Sequence, residues 1–306
     1  MRALVITNMY PSPERPALGS FVRDQVMALA RLPGVEIDLF AFRSGGSAPY
    51  VRAARDLRRR HRGTHFDVIH AHFGLTAWPA LTLRGAPHAV TLHGTDLVHP
   101  RSRAITLAAL PFVDLVAPVS SELARQLPRG FRAHVTVLPC GVDLGRFEPI
   151  DRRDARRALG LKRDGRYLLF PADPARPEKR YDRALAVAGD LPLLALGQVD
   201  PSEVPLWVNA ADAVLVPSER ESFGLAVLEA LACDVPVLAT PVGVAPEALR
   251  GIADTYCGPY DPALWRGALE SSLSQPDPRV CGRARAESYS VERMAERVLA
   301  AWRSLA

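Results

Sequence analysis

Two carboxylates, Glu221 and Glu229, stand eight positions apart in the stretch ESFGLAVLEALACDVPVLATPVG, and Ser222, Phe223 and Gly224 follow the first directly. The strand-like run AVLVPS ends near Pro217 and a helix pattern starts near Ser222. Glu221 is therefore expected at a strand's carboxyl end and at a helix N-terminus. The first backbone N–H groups of such a helix, at Ser222, Phe223, Gly224 and Leu225, have no intrahelical partners. With the helix dipole they make an anion site suited to phosphate. Gly224, with no Cβ, lets a bulky anion approach the backbone closely. Eight residues of helix rise roughly 12 Å, on the order of the span from a sugar past a diphosphate to a ribose. One carboxylate on either side of a phosphate site can then accept hydrogen bonds from hydroxyls at the two ends of one ligand. The plainer alternative is an acidic residue that simply favours the helix dipole and a second that is solvated. Glu229 speaks against it. Its neighbours from Leu225 to Ala232 carry no other charge, and a helix apolar all round is buried, where a carboxylate needs a partner.

The elements that must position these groups are legible in the apolar runs. RALVIT, VEIDLFAF, DVIHAH, HAVTLHG, DLVAPV and VTVLP read as strands in the first half, with helix candidates over 19–31, 51–60, 75–83, 103–110 and 120–127 between them. The strand runs are continuous rather than alternating, as in strands covered on both faces of a parallel sheet. Repeated β-α order gives a doubly wound α/β layer. The segment CGVDLGRFEPIDRRDARRALG is polar and turn-rich, and a domain boundary is expected near Pro149. The pattern then restarts with RYLLFPAD, LPLLALG, AVLVPS and VPVLATP. The expected division is 1–148, a second Rossmann-like domain over 149–289, and a last helix over 290–306 packing back towards the first domain. Ser290 is the expected N-cap of that helix, with Glu292 in its first turn. Two such domains are expected to face each other across a cleft, with ligands outside the carboxyl ends of the strands.

A length of 306 residues suits two domains, each with its own core. No apolar run reaches the roughly 20 residues that span a membrane. The opening MRALVITNMYPSP lacks a signal peptide's apolar region and cleavage site, so a cytoplasmic protein is expected. Cys140, Cys233, Cys257 and Cys281 are far apart and are expected as free thiols. The net charge of +5 comes almost entirely from arginine, the only lysines being Lys162 and Lys179, so a lysine inside a motif stands out. The segment VRAARDLRRRHRG sets Val51, Ala54 and Leu57 on one helix face among arginines. Such a helix can lie on an anionic membrane face as a peripheral contact, although a solvated face is the preferred reading. No aromatic-basic interleaving suggests nucleic acid. His70 and His72 share a strand face at i, i+2; without a third ligand a structural role is preferred over a metal pair.

The stretch ESFGLAVLEALACDVPVLATPVG resembles the E-x7-E element of retaining glycosyltransferases with the GT-B fold, family four of that enzyme class. VLPCGVDLGRF resembles the family's strand and loop at the domain joint, NAADAVLVPS its lead into the motif, VTLHGTDL its histidine-bearing strand and loop, and YPSPERPALGSFVRDQVMALA its first loop and helix. The five pieces occur in the family's order over nearly the whole chain.

The resemblance implies an enzyme that moves a hexosyl-type sugar from a nucleotide-diphosphate sugar to a hydroxyl acceptor (a glycan, a lipid-linked molecule or a small molecule), with retention and with no cofactor. It places the acceptor on the first domain and the nucleotide sugar on the second. It assigns Glu229 to the ribose, Glu221 to hydroxyls of the transferred sugar, and backbone groups of Ser222, Phe223, Gly224 and Leu225 to sugar or diphosphate. Lys179 matches the lysine that neutralises the diphosphate. The family's arginine, five residues earlier, falls on Pro174; Arg176 is the nearby substitute. His93 is implied to lie over the transferred sugar, and Gly19 to let its loop approach the donor, although a glycine that merely starts a helix would look the same. Without a D-x-D motif, metal independence is expected. No covalent nucleophile is evident, so a front-face route is favoured. Loss of the usual arginine and a short region before VPLWVNAAD leave an alternative, a catalytically degenerate protein that binds a nucleotide sugar or a partner glycosyltransferase.

Overall fold

Continuous apolar runs can bury both faces only inside a layered sheet, and that is where they lie. The computed structural model describes residues 1–197 and 199–305, and the side chains of all of these save 132–134. The chain divides into two units, Met1–Gly141 with Val291–Ala306, and Val142–Ser290.

In the first unit the strands are β1 (Arg2–Thr7), β2 (Glu36–Ala41), β3 (Val68–His72), β4 (His88–Leu92) and β5 (Leu115–Pro118). All pair in parallel, in the order β2-β1-β3-β4-β5. Val22, Gln25, Val26 and Leu29 of the helix Ser20–Ala30 are buried, the i, i+3, i+4, i+7 stripe of an amphipathic helix. With Met294, Val298 and Trp302 of the last helix, Val291–Arg303, the apolar members of that stripe cover Ala3, Val5 and Val68 of the sheet.

The run VTVLP does not become a strand. Val135 makes an isolated bridge to Val116, and Thr136 and Leu138 donate to the carbonyls of Val116 and Pro118. Pro139 has no N–H to extend the ladder. The division falls between Gly141 and Val142, earlier than the sequence suggested. The polar segment that follows is tied to the second unit by side chains remote in sequence. Arg283 donates to the carbonyls of Leu144 and Phe147, Arg279 to that of Ile150, and the Asn209 amide bonds Glu148 and Ile150.

The second unit carries β6 (Leu168–Phe170), β7 (Leu193–Ala195), β8 (Ala213–Val216), β9 (Val237–Ala239) and β10 (Tyr256–Cys257). They are parallel, in the order β10-β9-β8-β6-β7. Leu168, Phe170, Leu215, Leu238 and Trp265 form the core of one face. The chain runs from β6 outward to β7, then crosses to β8 on the other side of β6. The topological switch point therefore lies between β6 and β8, and in the first unit, by the same reasoning, between β1 and β3.

Candidate active site

At the second unit's switch point the loop after β6 meets the loop after β8. The first carries a short 3-10 turn, Pro177–Lys179, and the N–H of Glu219 donates to the carbonyl of Glu178 at 2.9 Å, joining the two loops. Lys179 Nζ lies 2.6 and 2.7 Å from the two carboxylate oxygens of Glu221. Ser218 Oγ donates to Glu221 Oε1 at 2.8 Å, and the Ser218 carbonyl accepts from Thr240 Oγ1 at 2.5 Å. The result is an ion pair of which 14% of the lysine and 11% of the glutamate side chain remain exposed.

Gly243 and Gly224 complete the loop. Gly243 has φ +61°, and a Cβ there would overlap the Phe223 carbonyl and lie 2.9 Å from Glu221 Cβ. The Phe223 carbonyl accepts from Val244 N–H at 2.7 Å, so the two segments are in direct backbone contact. Ser218 and Gly243 were not singled out from sequence. The Gly243 signal was the TPVG that closes the quoted stretch.

The structure corrects the helix start. The helix runs Leu225–Ala232, with Gly224 as its N-cap in the left-handed region at φ 92°. Ser222 and Phe223 belong to the loop, and the open N–H groups of the first turn begin at Leu225. The rise from the helix start to Glu229 is then about 6 Å rather than the full span first inferred. Nor is the helix buried all round. Val227, Leu228, Ala230, Leu231 and Ala232 are buried, whereas Leu225, Ala226 and Glu229 are half-buried on one face. Glu229 thus stands where a ligand can reach it, and complete burial is not the reason for its presence.

Arg176 is 55% exposed in its side chain and pairs with Glu178, its Nη2 lying 2.7 Å from Oε1. Its carbonyl accepts from the Lys179 N–H at 3.0 Å, while its guanidinium turns to Glu178. Arg180 and Arg183 converge instead on Glu219.

In the first unit, His93 follows β4, and its backbone is held by a residue the sequence did not reveal. Asp96, fully buried, accepts from the N–H groups of His93 (3.0 Å), Gly94 (2.8 Å) and Gly74 (3.2 Å). It pins the ends of β3 and β4 together. Burial raises its pKa, against the lowering effect of the three N–H donors. Phe73, between His72 and Gly74, sits at φ 79°, a costly conformation for a residue with a Cβ. His93 Nε2 lies 3.1 Å from His72 Nδ1, and its ring packs against Phe21 with centroids 4.8 Å apart. Gly19 is the N-cap of Ser20–Ala30 at φ 69°, and a Cβ there would overlap the backbone of Met9. Its close approach is to its own chain.

His70 and His72 are fully buried and stacked. Among the described residues no group of three His, Cys, Asp or Glu could hold a metal ion. All four cysteines are free.

The arginine-rich segment forms the helix Ala48–Arg60. Its buried residues are Ala53 and Leu57, while Val51 is 51% exposed, so the face supposed from Val51, Ala54 and Leu57 is rotated. Ala53 and Leu57 are used in packing, and the arginines face outward together with Val51. Arg58, Arg59, Arg62 and Arg84 line a cavity of about 1280 Å³ at the amino ends of β3 and β4, the end of the sheet opposite His93. Among the described residues no helix is long and apolar enough to cross a membrane.

Residues 4–146 match the family model described as Glycosyltransferase Family 4, and residues 193–287 match that described as Glycosyl transferases group 1. A D-inositol 3-phosphate glycosyltransferase of Actinosynnema mirum is 31% identical over 79% of this chain and 73% of that one. The protein of that name from Pseudarthrobacter chlorophenolicus is 27% identical over 94% of this chain and 90% of its own. Among solved structures, sucrose-phosphate synthase from Thermosynechococcus elongatus superposes with a TM-score of 0.79 at 20% identity, covering 100% of this chain and 99% of that one. Anabaena HepE in complex with UDP-glucose gives 0.75 at 15% identity, covering 99% and 100%. At these identities the solved structures show the fold.

Proposed function

The chain belongs to glycosyltransferase family 4 and is an enzyme of the GT-B fold; from this we propose that it moves a hexosyl-type sugar from a nucleotide-diphosphate sugar to a hydroxyl acceptor, with retention and without a metal ion. The observation that carries the reading is the Lys179–Glu221 pair at the switch point between β6 and β8. A diphosphate arriving there competes with Glu221 for the lysine. Lys179 then turns its charge to the phosphate, and Glu221 is released to accept hydrogen bonds from sugar hydroxyls. Glu229, on the half-open helix face, accepts from the ribose. Backbone groups of Ser222, Phe223, Gly224 and Leu225 meet the sugar and the diphosphate, the Gly19 loop approaches the donor, and Arg176 leaves Glu178 to share the phosphate charge.

In the reaction the bond from the anomeric carbon to the phosphate oxygen breaks and its electron pair stays on the diphosphate. The acceptor oxygen bonds the same face of that carbon, and its proton passes to the departing phosphate. Fixed cations stabilise the charge that develops on the leaving group. His93 is assigned to the transferred sugar by the family resemblance.

We place the enzyme in the cytoplasm. A lipid-linked acceptor would be met at a membrane face through the outward arginines of Ala48–Arg60, by electrostatics that salt weakens. The relatives' name makes D-inositol 3-phosphate the first acceptor to try, and the HepE complex makes UDP-glucose the first donor.

The test is a thermal-shift screen against UDP, GDP, ADP, TDP and their sugar conjugates in EDTA, followed by a transfer assay with the donor that binds. A ligand at a hundred times its Kd adds about 2.7 kcal/mol to stability. Binding with transfer in EDTA supports the proposal. Binding without transfer for any acceptor points to the degenerate, partner-binding protein, and no binding overturns the site.

A further inference from the structure

Three histidine rings lie in a column inside the first unit. His70 and His72 stack with centroids 4.8 Å apart, and His72 and His93 with centroids 5.3 Å apart. The bonds around them give the column a direction. Indole N–H can only donate, and Trp302 Nε1 lies 3.0 Å from His70 Nδ1. That nitrogen is therefore an acceptor. The His70 proton sits on Nε2 and is donated to Thr91 Oγ1 at 2.7 Å. Next along, the side-chain amide nitrogen of Gln25 lies 3.3 Å from His72 Nε2. An amide nitrogen donates, so His72 Nε2 accepts and its proton is on Nδ1. That proton is donated to His93 Nε2 at 3.1 Å. His93 must then carry its own proton on Nδ1.

We propose that Gln25 and His72 are positioning residues that fix the tautomer of His93, holding the ring neutral with Nδ1–H as a hydrogen-bond donor at the carboxyl end of β4. Gln25 is otherwise out of place, a 7% exposed amide within the apolar stripe of Val22, Val26 and Leu29. The Asp96 carboxylate fixes the His93 backbone while Gln25 and His72 fix its proton. Burial opposes charge on all three rings and holds their pKa values below the usual histidine range. On the reading that His93 meets the transferred sugar, on which this step rests, the ring contributes an N–H to a substrate oxygen and does not act as a base.

The test is nitrogen NMR of the full chain labelled with 15N-histidine, in which the two-bond nitrogen–proton pattern reports the tautomer. His70 is expected as Nε2–H, and His72 and His93 as Nδ1–H. Gln25→Leu removes the donor that sets the order. Its His93 nitrogen shifts are expected to move towards the average of the two tautomers, with kcat falling about tenfold, the scale of one lost hydrogen bond, and the thermal shift by nucleotide unchanged. His72→Phe is expected to do the same. An Nε2–H signal for His93 in the unmodified protein overturns the proposal whether or not the variants fold. So does a Gln25→Leu protein with His93 shifts and kcat unaltered. His93→Ala separates the two ideas: full turnover by that variant, with the relay seen by NMR, would remove the sugar contact and leave the relay standing.

Discussion

Lys179 and Glu221, separated by 42 positions, meet with the ammonium between both carboxylate oxygens at 2.6 and 2.7 Å. Both are largely covered, so removing one leaves a covered charge without its counter-ion, which is costlier than removing both. Lys179→Ala is expected to lose stability, about 1–3 kcal/mol, and to lose transfer, about a hundredfold or more in kcat. Adding Glu221→Gln to it is expected to restore the stability without restoring transfer. Urea unfolding and initial-rate assays on the single and double variants check this. A Lys179→Ala protein with normal turnover would remove the leaving-group role.

Glu229→Ala makes a different prediction, because Glu229 lies with Leu225 and Ala226 on the half-buried helix face proposed to meet the ribose. Urea unfolding of this variant separates a loss of stability from a loss of affinity. Its affinity for the nucleotide alone is expected to fall about 10- to 100-fold, the value of hydrogen bonds from hydroxyls to a charged acceptor. Titration calorimetry with the nucleotide that shifts the parent is the measurement. Unchanged affinity breaks the ribose assignment.

Both carboxylates and the lysine were legible because their signals are local: a strand end, a helix and a rare residue type. The helix start was misplaced because Ser-Phe-Gly reads as a first turn, whereas the left-handed Gly224 delays the helix to Leu225. The β10 strand is two residues long and leaves no periodicity to detect. The division at Gly141 was hidden because the groups that fasten 142–150 to the second unit, Asn209, Arg279 and Arg283, are remote in sequence. Trp302 acts through a contact still more remote, with His70, and Asp96 joins the ends of β3 and β4 across 22 positions. For Gln25 a signal existed, a polar residue in a buried stripe, and its meaning needed His72 to be seen beside it.

Gly243 lends itself to a paired comparison. Both Gly243 and Gly251 have positive φ, at +61° and +76°, but only Gly243 lacks room for a Cβ. Gly251→Ala is expected to cost only the left-handed backbone penalty, about 1–2 kcal/mol, and to leave kcat alone. Gly243→Ala must also push Phe223 and Glu221, so it is expected to lose more stability and to lower kcat by displacing the glutamate that faces Lys179. Equal effects on stability and activity from the two variants would show that the Gly243 contact does not hold the site.

The histidine column predicts how stability changes with pH. Burial lowers the pKa of His72 from 6.5 to about 3, and it pushes His70 and His93 well below the ordinary value, the other rings of the column adding to the effect. Between the folded and unfolded values the unfolded chain binds more protons than the folded one, so stability rises with pH across that window. The contribution is complete above about pH 6.5 and is lost as pH falls below it, by about 1.4 kcal/mol per pH unit for each ring that stays neutral. His61 and His88 are shifted in the same direction, chiefly by burial, and add to the slope. Urea unfolding at steps between about pH 6.5 and 5 is therefore expected to show a steep decline. His72→Asn, with one such ring fewer, is expected to decline less steeply by about 1.4 kcal/mol per pH unit. Equal slopes for the parent and this variant would mean that His72 takes up a proton in the folded protein, and the neutral column would have to be abandoned.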